Sequence, residues 1–275
     1  MSGWPDKRMK DRNFFSAVVS PPPHKPLTKR FARAITTAMS RPDFTFQNPT
    51  PLVVGSFGDA DSLAAATPET LAEQCDIAEI RLDLLHAEFS TQGNGLWRHL
   101  LPFPLLFTAR CQSEGSPFDL DQNLRKNLLR AALPDAAVID IEVRNIAAME
   151  ALISEICSRG VPWIASYHDF EKLPCREELA AQARNAKQAG ASAFKAAARL
   201  ITMDDLTALA HFQISEQGIP LSTMGMGVLA PVSRLLCAQA GSVLNYGFVG
   251  NKTTAPGQWS ARQLRDCIRS LTPLS

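Results

Sequence analysis

Trp163-Ile164-Ala165-Ser166-Tyr167-His168, followed after the stretch 169–192 by Ala193-Phe194-Lys195-Ala196-Ala197-Ala198, sets the pattern of the chain. Each is a short apolar run that reads as a buried strand, and the longer stretch between them has helical period and closes on Gly190. Working outward, the same alternation predicts strands at Leu52–Phe57, Ile77–Leu84, Leu105–Cys111, Ala137–Val143, Trp163–His168, Ala193–Ala198, Leu221–Met226 and Val243–Val249, eight in all. After the fourth, Asn145 is placed to cap a helix with Ile146, Met149, Ile153 and Ile156 on one face and Gly160 beyond its end. Gly218 closes a later helix in the same way.

Apolar strands alternating with helices signal a parallel sheet, because parallel neighbours need a crossover long enough to hold a helix. No GxGxxG follows the first strand, which disfavours a doubly wound nucleotide-binding sheet. The expected fold is therefore of the α/β class, a single closed (β/α)8 TIM barrel over residues 51–275, a length such barrels commonly reach as one domain. Residues 1–50, with Pro21-Pro22-Pro23 and the basic Lys29-Arg30-Phe31-Ala32-Arg33, lack the alternation and read as a poorly ordered N-terminal extension. Whether this is a targeting segment, or whether Met39 opens the real chain, the residues leave open.

Apolar residues are 45% of the chain and charged ones 20%, a balance that buries a core and argues against disorder. The net charge of +1 gives no global attraction to nucleic acid or an acidic membrane, although residues 1–50 hold nine Lys and Arg against three Asp. The six cysteines form no CxxC pair and no His stands at zinc-finger spacing, so they read as free thiols with no metal site. No apolar run reaches the roughly 18 residues of a membrane span, and the expected location is the cytoplasm.

Barrel active sites lie at the C-terminal ends of the strands, so polar residues late in an apolar strand matter most. These are Glu79, Arg81 and Asp83; Arg110 and Glu114; Asp140 and Glu142; His168; and Lys195. Among apolar neighbours Lys195 would be desolvated toward a nucleophilic neutral amine, but a lysine paired with a strand carboxylate would look the same in sequence. His168 can shuttle protons near neutral pH or simply hydrogen-bond a loop. His24, His86, His99 and His211 have weaker claims, falling in the extension or in presumed loops and helices. Arg81, Asp83, Arg110 and Glu114 fit a structural ion network, yet the cationic excess that includes Arg234 suits a substrate carboxylate.

Six motifs in one order resemble the type I 3-dehydroquinate dehydratase family from about residue 52 to 269. They are Glu79-x-Arg81-x-Asp83; Phe107-Thr108-Ala109-Arg110 followed by Glu114; Ser166-Tyr167-His168-Asp169-Phe170; Lys195; Met226-Gly227 running to Ser233-Arg234; and Ala255-Pro256-Gly257-Gln258. The resemblance implies a shikimate-pathway lyase in which Lys195 forms a Schiff base with 3-dehydroquinate, His168 is the general acid and base, and Glu114 orients the imidazole. It also implies that Arg234 and Gln258 hold the carboxylate, that Glu79, Arg81 and Arg110 contact ring hydroxyls or order the mouth, and that Ser56, Met226 and Thr254 add contacts. No cofactor is implied, and a homodimer is the expected assembly. Thr254 stands where the family more often has Ser and Ala230 where it has Gly, and the aromatic substrate contact of strand eight is not placed in Leu244-Asn245-Tyr246-Gly247-Phe248. Two rival readings are another imine-forming barrel aldolase and a catalytically silent ligand-binding regulator.

Overall fold

A computed structural model describes residues 44–46, 50–215 and 217–271. Expectations that fall on residues 1–43, including those for His24 and Met39, lie outside it. Eight parallel strands run β1 Leu52–Phe57, β2 Ile77–Arg81, β3 Leu105–Thr108, β4 Val138–Glu142, β5 Trp163–Asp169, β6 Ala193–Arg199, β7 Leu221–Met226 and β8 Leu244–Val249. They neighbour one another in chain order with β8 beside β1, the arrangement of a (β/α)8 barrel. At the seam between β7 and β8 there is no regular ladder. It is bridged by the Val243 N–H to the Leu221 carbonyl at 2.9 Å and by the Ser222 hydroxyl to the Leu244 carbonyl at 2.7 Å.

Side chains two apart on a strand share a face, and this period divides the core in two. Facing the helices, Phe107, Ile139, Trp163 and Phe194 pack with Trp97, Leu128, Met149, Ile156 and Leu264 in the larger apolar cluster. Facing the barrel axis, Val54, Ile77, Leu106, Val138, Ile164, Ala193 and Leu244 make an apolar floor, joined by Phe46. Two residues further along each strand the axis turns polar: Ile77 is followed by Glu79, Leu106 by Thr108, Val138 by Asp140, Ile164 by Ser166 and Ala193 by Lys195. All five are buried. A buried polar group without a partner costs about 1–3 kcal/mol, so a polar layer in place of more Val and Ile marks a site rather than a scaffold.

Several expected boundaries move. β2 stops at Arg81 rather than Leu84 because the chain turns there, with the Leu84 and Leu85 N–H groups both reaching the Arg81 carbonyl. β3 stops at Thr108 rather than Cys111, since the chain heads into the short 3-10 turn Gln112–Glu114. β4 lacks Ala137 and Val143 and β8 lacks Val243, whereas β5 gains Asp169 and β6 gains Arg199. Asn145 precedes the helix Ile146–Ser158 but does not cap it with its side chain, which donates instead to Glu142 at 2.8 Å. The amide nitrogen is held by that carboxylate, and no helix N–H donates to the asparagine oxygen. Gly160 and Gly190 do take the left-handed conformation after their helices, with φ of +62° and +79°. Among the described residues no helix is long and apolar enough to cross a membrane.

Candidate active site

At the polar end of the barrel axis one cavity is lined by all eleven expected site residues: Ser56, Glu79, Arg81, Arg110, Glu114, His168, Lys195, Met226, Arg234, Thr254 and Gln258. Lys195 lies at its base, 4% exposed. Its Nζ is 3.2 Å from Asp140 Oδ2 and 3.9 Å from the centre of the Tyr246 ring. The two possibilities the residues left open are thus both realised: the amine is desolvated and also paired. Burial lowers its pKa, against the opposing pull of the Asp140 and Glu79 carboxylates.

Asp140 organises the surroundings of the lysine. It accepts from Ser166 Oγ at 2.5 Å and from Arg110 Nη2 at 3.1 Å. Burial alone would raise its pKa, but Arg110, Lys195 and the Ser166 bond outweigh burial and hold it at about 2. Arg110 is fixed from the other side by Ser166 at 2.6 Å and by Glu142, which Arg125 and the Cys111 N–H in turn secure. Glu79 accepts from Ser56 Oγ at 2.5 Å and Thr108 Oγ1 at 2.7 Å. Arg81 grips Asp83 with two parallel bonds of 2.9 and 2.7 Å. Of the ion network anticipated among Arg81, Asp83, Arg110 and Glu114, the Arg81–Asp83 pair forms, whereas Arg110 pairs with Asp140 and Glu142 and Glu114 with His168.

His168 stands at the end of β5, and a single oxygen of Glu114 accepts from both its backbone N–H and its ring Nδ1, each at 3.0 Å. With the Nδ1 proton committed to the carboxylate, the Nε2 lone pair is left as the basic site. Burial and then the positive charges of Arg110, Lys195 and Arg81 push the imidazole well below 6.5, so it stays neutral. Burial, aided by Glu142 and Asp140 and opposed by Arg110, raises Glu114 to about 7. The 3-10 turn that presents Glu114 ends on Gly115 at φ +102°, where a Cβ would lie 2.4 Å from the Phe170 ring. Only glycine fits that turn.

Arg234 is a buried cation of a different kind. It is 1% exposed, its Nη1 donates to the Tyr246 carbonyl at 2.7 Å, and among the described residues no carboxylate pairs with it. Burial lowers its pKa to about 10, so it is still charged at neutral pH. Nearby, the Gln258 side-chain oxygen accepts from Thr254 N and Oγ1, both at 3.0 Å, tying the loop into a closed turn. Ala230 begins the helix Ala230–Gln239, where the helical backbone has no need of glycine.

The cavity is also lined by Phe170 and Ala255, which lie within the quoted motifs, and by Gly115, Ala197, Met224 and Tyr246, which no motif singles out. Tyr246 was recoverable: it lies two residues beyond Leu244 of the apolar floor, on the axis-facing side. Asp140, already singled out in the sequence, follows Val138 in the same way. Phe170 follows the last residue of β5, and no strand period reaches it.

The profile of a family described as type I 3-dehydroquinase matches residues 53–275. A 3-dehydroquinate dehydratase from Methanothrix thermoacetophila is 33% identical over 223 residues, covering 81% of this chain and 92% of that protein. The catabolic 3-dehydroquinate dehydratase of Acinetobacter baylyi is 32% identical over 223 residues, covering 76% and 82%. Among solved structures, the 3-dehydroquinate dehydratase of Geobacillus kaustophilus aligns with a TM-score of 0.72 at 26% identity, over 81% of this chain and 91% of that one.

Proposed function

The chain belongs to the type I 3-dehydroquinase family, and on that premise we propose that it dehydrates 3-dehydroquinate to 3-dehydroshikimate, a shikimate-pathway step, through an imine on Lys195. The observation that carries this reading is a buried amine sharing one cavity with a neutral histidine and with a buried arginine that lacks a carboxylate partner. The first suits a ketone, the second a C–H proton and the third a carboxylate, which together describe a keto acid.

In this mechanism the Lys195 ammonium gives up a proton, the neutral amine adds to the ketone, and that proton together with a second from the nitrogen ends on the carbonyl oxygen, which departs as water and leaves an iminium. Its positive charge replaces that of the ammonium beside Asp140, which stays a carboxylate throughout at a pKa of about 2. His168 Nε2 takes the proton from the carbon next to the iminium, and the C–H electrons enter the C–N system as an enamine. Those electrons then expel the hydroxyl on the next carbon, which leaves as water with the proton held by His168. Hydrolysis of the conjugated iminium consumes one water and frees both product and Lys195, so the net change is one water lost. Glu114 acts through the imidazole by fixing its tautomer, and Arg234 with Gln258 holds the carboxylate. The iminium supplies the electron sink, so the reading assigns neither metal nor organic cofactor.

Turnover tests this directly. Purified protein mixed with 3-dehydroquinate should generate the ultraviolet absorbance of a conjugated enone, and a folded protein that binds the compound without producing that absorbance would sink the proposal in favour of a silent regulator. The proposal extends to a cytoplasmic homodimer, for which light scattering should return twice the chain mass.

A further inference from the structure

Most polar side chains around the cavity are already matched: Ser56 with Glu79, Arg81 with Asp83, Arg110 and Lys195 with Asp140, His168 with Glu114, and Gln258 with Thr254. Two buried donors are not. Arg234 Nε and the Tyr246 hydroxyl have no hydrogen-bond partner among the described residues. The two residues are joined, since Arg234 Nη1 donates to the Tyr246 carbonyl at 2.7 Å. At the other end the Tyr246 ring lies 3.9 Å from Lys195 Nζ. Tyr246 thus spans from the cation assigned to the carboxylate to the amine assigned to the ketone, and it is only 3% exposed.

A buried tyrosine normally finds a partner for its hydroxyl, because leaving it unpaired is destabilising while a phenylalanine of the same shape is not. Burial, reinforced by the Glu79 and Asp140 carboxylates, pushes the phenol well above 10. It therefore keeps its proton and needs an acceptor. Arginine and lysine offer none.

We propose that the Tyr246 hydroxyl donates a hydrogen bond to an oxygen of the bound substrate, so that Tyr246 is a specificity-determining contact for a polyhydroxylated keto acid. This rests on the functional reading above. The contact is made in ground and transition states alike, so its loss should fall on KM. A substrate lacking that oxygen leaves the buried donor unpaired again and is rejected.

The test is Tyr246→Phe, which keeps the ring over Lys195 and deletes only the hydroxyl. The expected variant is at least as thermally stable as the wild type, has kcat/KM lower by about tenfold, mostly through KM, and retains the pH profile. Analogues lacking one ring hydroxyl each, and the carboxamide of the substrate, locate the oxygen: against one of them the wild type discriminates and the variant does not. Unchanged kcat/KM with unchanged discrimination overturns the assignment of Tyr246 while leaving the activity standing. Failure of the wild-type protein itself to turn over 3-dehydroquinate overturns the functional reading, and the tyrosine assignment with it.

Discussion

Replacing Glu114 by glutamine isolates the charge behind His168. The carboxyl goes from 4.5 to about 7 on folding, so its charged form is disfavoured by roughly 3 kcal/mol in the folded protein. Because the folded value is the higher one, the contribution to stability is present below pH 4.5 and is lost as pH rises through about 7. Glu114→Gln should therefore match the wild type below pH 4.5 and exceed it by up to roughly 3 kcal/mol above pH 7 in denaturant titrations. Activity should move the other way. The glutamine oxygen can still accept from Nδ1, but a neutral bond is about half as strong as a charge-assisted one, a loss of about 1 kcal/mol or five- to tenfold in kcat. In the wild type kcat/KM should rise through an apparent pKa near 7 as the Glu114–His168 pair loses its proton. The variant should lack that limb. Matched pH profiles of kcat/KM for the two proteins decide the matter, and an unaltered limb near 7 in Glu114→Gln would refute the reasoning.

Three further outcomes are expected. His168→Ala should still form the covalent imine yet lose about 10²- to 10⁴-fold in kcat, and a loss below tenfold would remove it as the proton-transfer group. Arg234→Ala gives up a charged contact worth about 1.5–3 kcal/mol, so KM should rise roughly ten- to a hundredfold with kcat little changed. An unmoved KM would take Arg234 out of carboxylate binding. Gly115→Ala forces a Cβ to within 2.4 Å of the Phe170 ring at φ +102°, and should cost about 1–3 kcal/mol, seen as a Tm lower by several degrees; an unchanged Tm would contradict the packing.

The barrel was legible because strands and helices alternate with different periods, and all eight strands fall where the apolar runs lie. The ends were not, because they are set by side-chain competition that period does not encode. Arg81 is buried and pairs with Asp83 just where the chain turns, and Asn145 abandons its helix for Glu142. The family resemblance located eleven of the residues that line the cavity, yet it did not reveal that Lys195 is both desolvated and paired. That depends on Asp140 of β4 reaching Lys195 of β6 past the intervening β5, a separation of 55 residues along the chain. The place of Tyr246 on the axis follows from its spacing to Leu244, but the state of its hydroxyl does not. In sequence Tyr246 is one aromatic in a mixed strand, and its unpartnered hydroxyl exists only as a property of the packed site.

The central claim is a covalent bond at Lys195, and borohydride reduction in the presence of 3-dehydroquinate, followed by intact mass and peptide mapping, tests it most directly. A ligand-dependent adduct is expected on Lys195 and should disappear, together with turnover, in Lys195→Ala; an adduct on another lysine, or near-normal turnover by Lys195→Ala, would rule out the imine at Lys195.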